Sequence, residues 1–205
     1  MKKICIIDYG LGNVASIFNA VKYLDDNVKL SREPKDIDRA SHIILPGVGS
    51  YKTGMENLAK YNLLEILSSQ VIAKKKLFLG ICLGMQLLSS SSTEGGEQRG
   101  LNWISGDVVK ITSNDETIKI PHMGWNPVKH SNDSILYKNI KNSSSFYFVH
   151  SYHFVPQDKS IITGTCFHGV PINSSLQKDN IFATQFHPEK SHDVGTELLN
   201  NFLNQ

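Results

Sequence analysis

The sequence predicts an α/β fold: a mostly parallel central sheet with helices on both faces, followed by a β-rich second half. Two observations carry this expectation. In the first half, short apolar runs alternate with segments of helical periodicity, the pattern of strand–helix repeats around a parallel sheet. In the second half, β-rich runs follow one another across Ser, Asn, Asp and Gly turns.

The elements follow in order. Lys3-Ile4-Cys5-Ile6-Ile7 reads as a strand, with Gly10 and Gly12 behind it. Val14–Leu24 sets Val14, Ile17, Phe18, Val21 and Leu24 on one helical face. His42-Ile43-Ile44-Leu45 reads as a strand stopped by Pro46-Gly47, and residues 53–67 as one helix or two short ones. Leu77-Phe78-Leu79 reads as a buried strand, and residues 85–88 open a further helix. Ser89 to Ser92 with Gly95-Gly96 reads as a polar loop. Strands are expected over residues 106–112, 117–121, 146–155, 161–167 and 181–186, and a closing helix over 194–203. No repeat or linker interrupts the chain, so residues 1–205 are expected to form a single domain.

Composition narrows the function classes. The 205 residues are 40% hydrophobic and 20% charged, enough apolar surface for a core without disulfides or metals. A net charge of +2 does not point to nucleic acid or a membrane surface. Lys74-Lys75-Lys76, the one basic run, reads as a solvated helix end. The longest nearly apolar stretch, residues 77–88, is too short to span a bilayer and contains Gly80 and Gly84. The apolar run after Met1-Lys2-Lys3 ends at Asp8 with no small-residue cleavage site, unlike a signal peptide. Cys5, Cys82 and Cys166 cannot all pair within one chain and show no metal-ligand spacing. The expectation is a cytoplasmic protein with no metal and no cofactor.

One cysteine stands apart. Gly80-Ile81-Cys82-Leu83-Gly84 lies between a strand and a helix, with the Gly-x-nucleophile-x-Gly spacing of a nucleophile elbow. Side chains at Gly80 and Gly84 would crowd the tight turn. The turn offers the Cys82 sulfur at the carboxyl end of the sheet and at a helix N-terminus, which favours a thiolate. The Leu83 N–H can then donate to an oxyanion. A plain buried cysteine accounts for Cys5 and Cys166, but not for the paired glycines around Cys82.

A nucleophilic cysteine needs a base, and the base needs an orienting group. Among eight histidines, His187 follows the apolar run 181–186 and leads into Pro188-Glu189. In an extended segment, residues i and i+2 point the same way, and the proline favours extension before it. Glu189 can therefore lie beside His187 and fix its tautomer. The result is a Cys82–His187–Glu189 triad. His42, His130, His168 and His192 read as ordinary surface or core histidines, and no Cys/His spacing supports zinc.

Together these motifs resemble the triad-type glutamine amidotransferases. The whole chain is similar to the glutaminase subunits of imidazole glycerol phosphate synthases. The similarity runs through Asp8-Tyr9-Gly10-Leu11-Gly12-Asn13, Pro46-Gly47-Val48-Gly49, the elbow, Pro121-His122-Met123-Gly124-Trp125-Asn126, Phe148-Val149-His150-Ser151-Tyr152 and Gln185 to Ser191. It implies that Cys82 attacks the side-chain amide of glutamine, and that His187 serves the leaving ammonia and then water. It implies a heterodimer in which ammonia passes to a (β/α)8-barrel cyclase subunit making imidazole glycerol phosphate for histidine biosynthesis. It assigns Val48 and Gly49 to a second oxyanion donor, in a loop whose glycines permit a peptide to flip. It assigns Gln86, Glu94, His150, Ser151 and Tyr152 to the glutamine substrate, and Asn13, Trp125 and Lys190 to the partner face.

Ser50-Tyr51, Gly100 to Ile104 and residues 168–176 depart from that family's usual pattern. They leave a second destination for the ammonia: a sugar-modifying enzyme of surface-polysaccharide synthesis. A dinucleotide-binding module is a rival of another class, since Gly10-x-Gly12-x-x-Ala15 follows a strand. Against it, Asp8 and Tyr9 lie where a pyrophosphate would approach, and Asp36 ends no clear second strand. A partner-independent cysteine hydrolase is the third reading, opposed by the Trp125 and Lys190 segments.

Overall fold

The computed structural model describes residues 2–131 and 133–205. The first half supplies β1 (Ile4–Ile7), α1 (Val14–Leu24), β2 (Val28–Ser31), α2 (Pro34–Arg39), β3 (His42–Leu45), α3 (Tyr51–Lys60), α4 (Leu63–Ser68), β4 (Leu77–Ile81) and α5 (Leu83–Gln86). Two short strands follow, β5 (Ser91–Ser92) and β6 (Gln98–Arg99), then β7 (Gly106–Lys110), β8 (His122–Pro127) and β9 (Lys129–His130). The rest is β10 (Ser145–His150), β11 (Tyr152–Pro156), β12 (Ile162–His168), β13 (Val170–Lys178), β14 (Ile181–Thr184) and α6 (His192–Leu203).

The main sheet has eight strands in the order β2-β1-β3-β4-β14-β13-β12-β9. From β2 to β14 its strands run parallel, and from β14 to β9 antiparallel. Both faces are covered, as alternation along the strands requires. Cys5, Ile7, Ile43, Leu45 and Phe78 pack with Leu58 of α3 and Leu63 and Leu67 of α4. Ile4, Ile6, Ile44 and Leu79 pack on the other side with Ile17 and Val21 of α1 and Leu198, Leu199 and Phe202 of α6. Each such fully buried aliphatic or aromatic side chain contributes about 1.5–3 kcal/mol relative to exposure.

The predicted architecture is present, but the short elements α2, β5, β6 and β9 were not predicted, β5 lying in the stretch Ser89 to Ser92 that was expected to be a loop, and there are further differences. The helix expected from residue 85 is only the single turn α5; Leu101, Trp103 and Ile104 then bond back to Leu87 and Leu88 carbonyls. Residues 117–121 form no strand; the strand begins at His122. The run 146–155 is two strands broken at Ser151, β10 pairing with β8 and β11 with β7 in separate sheets. Strands β2 and β13 carried no apolar pattern strong enough to predict them. In β13, Ser174 and Ser175 are fully buried and Ser175 bonds to Tyr137 and Thr163, so polar residues occupy core positions.

Candidate active site

The elbow joins β4 to α5. Cys82 sits at φ 53°, ψ −106°, a backbone region costly for a residue with a Cβ. Its N–H donates to the Thr184 carbonyl at 2.7 Å, which locks the turn to β14. The two glycines are required by contact. A Cβ on Gly84 would lie 1.9 Å from the Leu45 carbonyl oxygen, and one on Gly80 2.7 Å from the Gly84 oxygen. Since α5 spans four residues, a helix dipole contributes less at Cys82 than a long helix would.

His187 is positioned by a loop fastened to β10. Its N–H donates to the Tyr147 carbonyl at 2.9 Å, and the Ser191 hydroxyl donates to the His187 carbonyl at 2.6 Å. The His187 backbone is extended, as the proline after it demands, but Pro188–Lys190 forms a 3-10 turn. Glu189 therefore reaches the imidazole through a turn, not along the extended segment expected. The result is the same contact: Nδ1–H donates to Glu189 Oε1 at 2.8 Å, both side chains being buried. Nε2 makes no closed hydrogen bond. Burial by itself pulls the imidazole down. The Cys82 sulfur and the Glu189 carboxylate outweigh it and push the His187 pKa up to about 10 from 6.5.

A cavity of about 330 Å³ opens on the sulfur, a size suited to a small ligand. Its lining brings together Val48, Gly49, Cys82, Leu83, Gln86 and Glu94 from the first half of the chain. His150, Ser151 and Tyr152 close it from the β10–β11 junction. Glu94 Oε2 accepts the Tyr51 N–H at the start of α3 at 2.7 Å, so this carboxylate also holds the end of the Pro-Gly-Val-Gly loop. Gln86 is buried, not on an exposed helix face; its Nε2 donates to the Tyr152 carbonyl at 2.8 Å. Both ring nitrogens of His150 are engaged, with Tyr152 O and His122 Nδ1, so His150 shapes the cavity without a free polar atom.

The amide expected to serve as oxyanion donor is occupied. Leu83 N–H donates to the Gly47 carbonyl at 3.3 Å, so the Gly47–Val48 peptide presents its oxygen to the elbow amide. Outside the cavity, Trp125 stacks on His192 at 4.8 Å, and Lys190 Nζ lies 5.7 Å from the centre of the Tyr147 ring. Trp125 also meets Tyr147 edge-on, which gathers Trp125 and Lys190 into one patch. Trp125 is 48% exposed, so it is not plain core. Asn13 is exposed and caps α1, its Oδ1 accepting the Ser16 N–H. The Asp8 carboxylate pairs with Arg32 at 2.6 Å, next to a second strand that does exist as β2. The loop thus holds a carboxylate already paired with Arg32 where a dinucleotide pyrophosphate would lie.

Sequence reasoning gave no role to Gln185, Tyr9 or Tyr147. Gln185 could have been noticed as the single amide in the apolar run 181–186, two residues before His187. Among the described residues, no group of three His, Cys, Asp or Glu side chains could hold a metal ion, and no helix is long and apolar enough to cross a membrane.

Comparisons with known proteins identify the family. A family model described as glutamine amidotransferase class-I matches residues 5–205. The chain is 46% identical over 202 residues to imidazole glycerol phosphate synthase subunit HisH 2 of Methanococcus maripaludis, covering 98% of this chain and 99% of that one. It is 44% identical over 200 residues to the HisH 2 subunit of Pseudomonas aeruginosa, covering 98% of each. In fold it matches a solved glutamine amidotransferase with a TM-score of 0.76 at 16% identity, over 98% of this chain and 97% of that one. It matches PurLQS from Thermotoga maritima with a TM-score of 0.72 at 18% identity, over 100% of this chain and 99% of that one. On these grounds the chain belongs to the class-I glutamine amidotransferases, among the HisH subunits of imidazole glycerol phosphate synthase.

Proposed function

We propose that this chain hydrolyses glutamine to glutamate and ammonia, and delivers the ammonia to a cyclase subunit that makes imidazole glycerol phosphate in histidine biosynthesis. The observation that carries the reading is the buried His187–Glu189 pair set against Cys82 on its strained elbow. Cys82 Sγ attacks the amide carbon of glutamine. The carbon–nitrogen bond breaks, and the His187 imidazolium supplies the proton that lets ammonia leave. A γ-glutamyl thioester remains. Neutral His187 then takes a proton from water as it attacks that carbon, glutamate departs, and the thiolate–imidazolium pair is restored. Glu189 keeps the His187 proton on Nδ1, leaving Nε2 for the chemistry.

The oxyanion step needs a rearrangement. Leu83 N–H is available only when the Gly47 carbonyl leaves it, and turning the Gly47–Val48 peptide would also aim the Val48 N–H at the same point. Glycine at 47, one of the two residues flanking that peptide, lowers the cost of that turn. The isolated chain is therefore held in a weakly active state. Glutamine fits the cavity with its α-ammonium on Glu94 and its backbone end beside Ser151 and Tyr152. The Trp125–Lys190 patch and Asn13 face the partner, a (β/α)8 barrel. Relatives at 40–46% identity over nearly the whole chain, all HisH subunits, favour this destination for ammonia over a sugar-modifying enzyme.

The test is Cys82→Ala in the complex with the cyclase subunit. Glutamine-dependent synthesis of imidazole glycerol phosphate is lost, while synthesis from added ammonium salt persists. Retained glutamine-dependent synthesis would overturn the assignment.

A further inference from the structure

Resting on the glutaminase reading, we propose that Gln185 is a positioning residue for the nucleophile: its side-chain amide donates to the Cys82 sulfur, and a buried polar network fixes that donor in place. Gln185 is fully buried, and its Nε2 lies 3.7 Å from Cys82 Sγ.

The network itself dictates which end of the amide faces the sulfur. Gln86 Nε2 lies 2.8 Å from the Tyr152 carbonyl, which can only accept, so that atom is the Gln86 nitrogen. Its other hydrogen goes to the Gln185 side chain at 3.1 Å, which must therefore present Oε1. The remaining end of Gln185 is the NH2 group, and it points at the sulfur. The Tyr152 carbonyl is a junction. It also accepts His150 Nδ1–H at 2.8 Å, which leaves His150 Nε2 to accept His122 Nδ1–H at 3.0 Å. His122 Nε2 in turn accepts from Asn126 Nδ2, whose identity as nitrogen is fixed by its bond to the Phe167 carbonyl.

Each amide and imidazole along this path has one admissible orientation. Burial holds His150 down to about 3 and His122 to about 4, so both stay neutral and keep these tautomers at neutral pH. The path begins at Asn126, next to Trp125 on β8, and ends at the nucleophile. A donor anchored at this distance restrains the direction of the sulfur.

Gln185→Glu separates positioning from packing. The carboxylate is isosteric and still accepts from Gln86, but it cannot donate to the sulfur and sets a negative charge against it. In the complex with the cyclase subunit, kcat with glutamine should fall about 10- to 100-fold, the worth of one charge-assisted hydrogen bond, with KM changed less than about 2-fold. The rate of Cys82 alkylation by iodoacetamide should fall in step, with Cys82→Ala as the blank for the two other thiols. Gln185→Leu, which removes donor and acceptor alike, should lower both rates as well. A wild-type kcat and alkylation rate in Gln185→Glu would overturn the inference. The glutaminase reading fails separately, if Cys82→Ala keeps glutamine-dependent synthesis.

Discussion

Replacing Gly84 with alanine should disable the elbow while leaving the rest of the sheet in place. The added Cβ would lie 1.9 Å from the Leu45 oxygen and 2.9 Å from its carbon, where ordinary contact starts at 3.4 Å. One side must yield by about 1.5 Å to reach a normal C···O separation. Strand β3 cannot yield, because it is hydrogen-bonded to β1 on one side and β4 on the other. The short helix α5 must move instead, and it carries Leu83 directly after Cys82. Overpacking of this kind costs about 1–3 kcal/mol, and a shift near 1 Å at a reacting group costs about 100-fold in rate. Gly80→Ala is the graded companion. Its Cβ meets the Gly84 oxygen at 2.7 Å, so a displacement of about 0.7 Å suffices. The assays are urea unfolding of each variant and glutamine-dependent turnover in the complex, with ammonia-dependent turnover as the control for assembly. The expected order of damage is Gly84→Ala, then Gly80→Ala. Wild-type turnover in Gly84→Ala, or the reverse order, would refute the crowding argument.

Two other measurements test the electrostatics and the buried polar groups. His187 is held up to about 10 against an ordinary 6.5, so its charged state stabilises the fold fully below pH 6.5 and fades as pH rises toward 10. Glu189→Gln removes one of the groups that hold it up, so the fading still starts near pH 6.5 but is complete at lower pH, and less stability is lost in all. Urea midpoints from about pH 6 to about pH 10 would show the two curves diverging, and parallel curves would count against the pairing. Tyr9→Phe removes a buried hydroxyl that has no partner, and should stabilise the isolated chain by about 1 kcal/mol. A loss of stability on urea unfolding would mean that this hydroxyl is bonded.

The fold was legible where burial and apolarity coincide. Strands β1, β3, β4 and β14 are buried at every position, apart from the half-buried Leu77, and their apolar runs announce them. Helix α1 matched its predicted limits because its apolar spacing and the Asn13 cap agree. Legibility failed where polar residues carry the core. Strand β13 hides behind Ser174 and Ser175, which are fully buried; Ser175 is satisfied by hydroxyl partners that no local pattern reveals. The break at Ser151 was invisible for a related reason. Residues 146–155 keep their β character throughout, and only pairing with β8 and β7 separates them.

At the site, the sequence by itself determined the chemistry on offer: a cysteine between two obligatory glycines, and a histidine with a carboxylate two residues on. These are local patterns, and local backbone geometry is enough to read them. The tertiary structure decided how those groups stand toward each other. It turned Glu189 onto His187 through a 3-10 turn, gathered residues from both halves of the chain around the sulfur, and aimed the Gln185 amide at it. It also paired the Leu83 N–H with the Gly47 carbonyl. Apart from the local His187–Glu189 contact, each of these depends on a hydrogen bond or a packing distance between segments far apart in the chain. Such contacts exist only once the sheet has brought β3, β4 and β14 side by side, which is why no reading of the chain residue by residue could supply them.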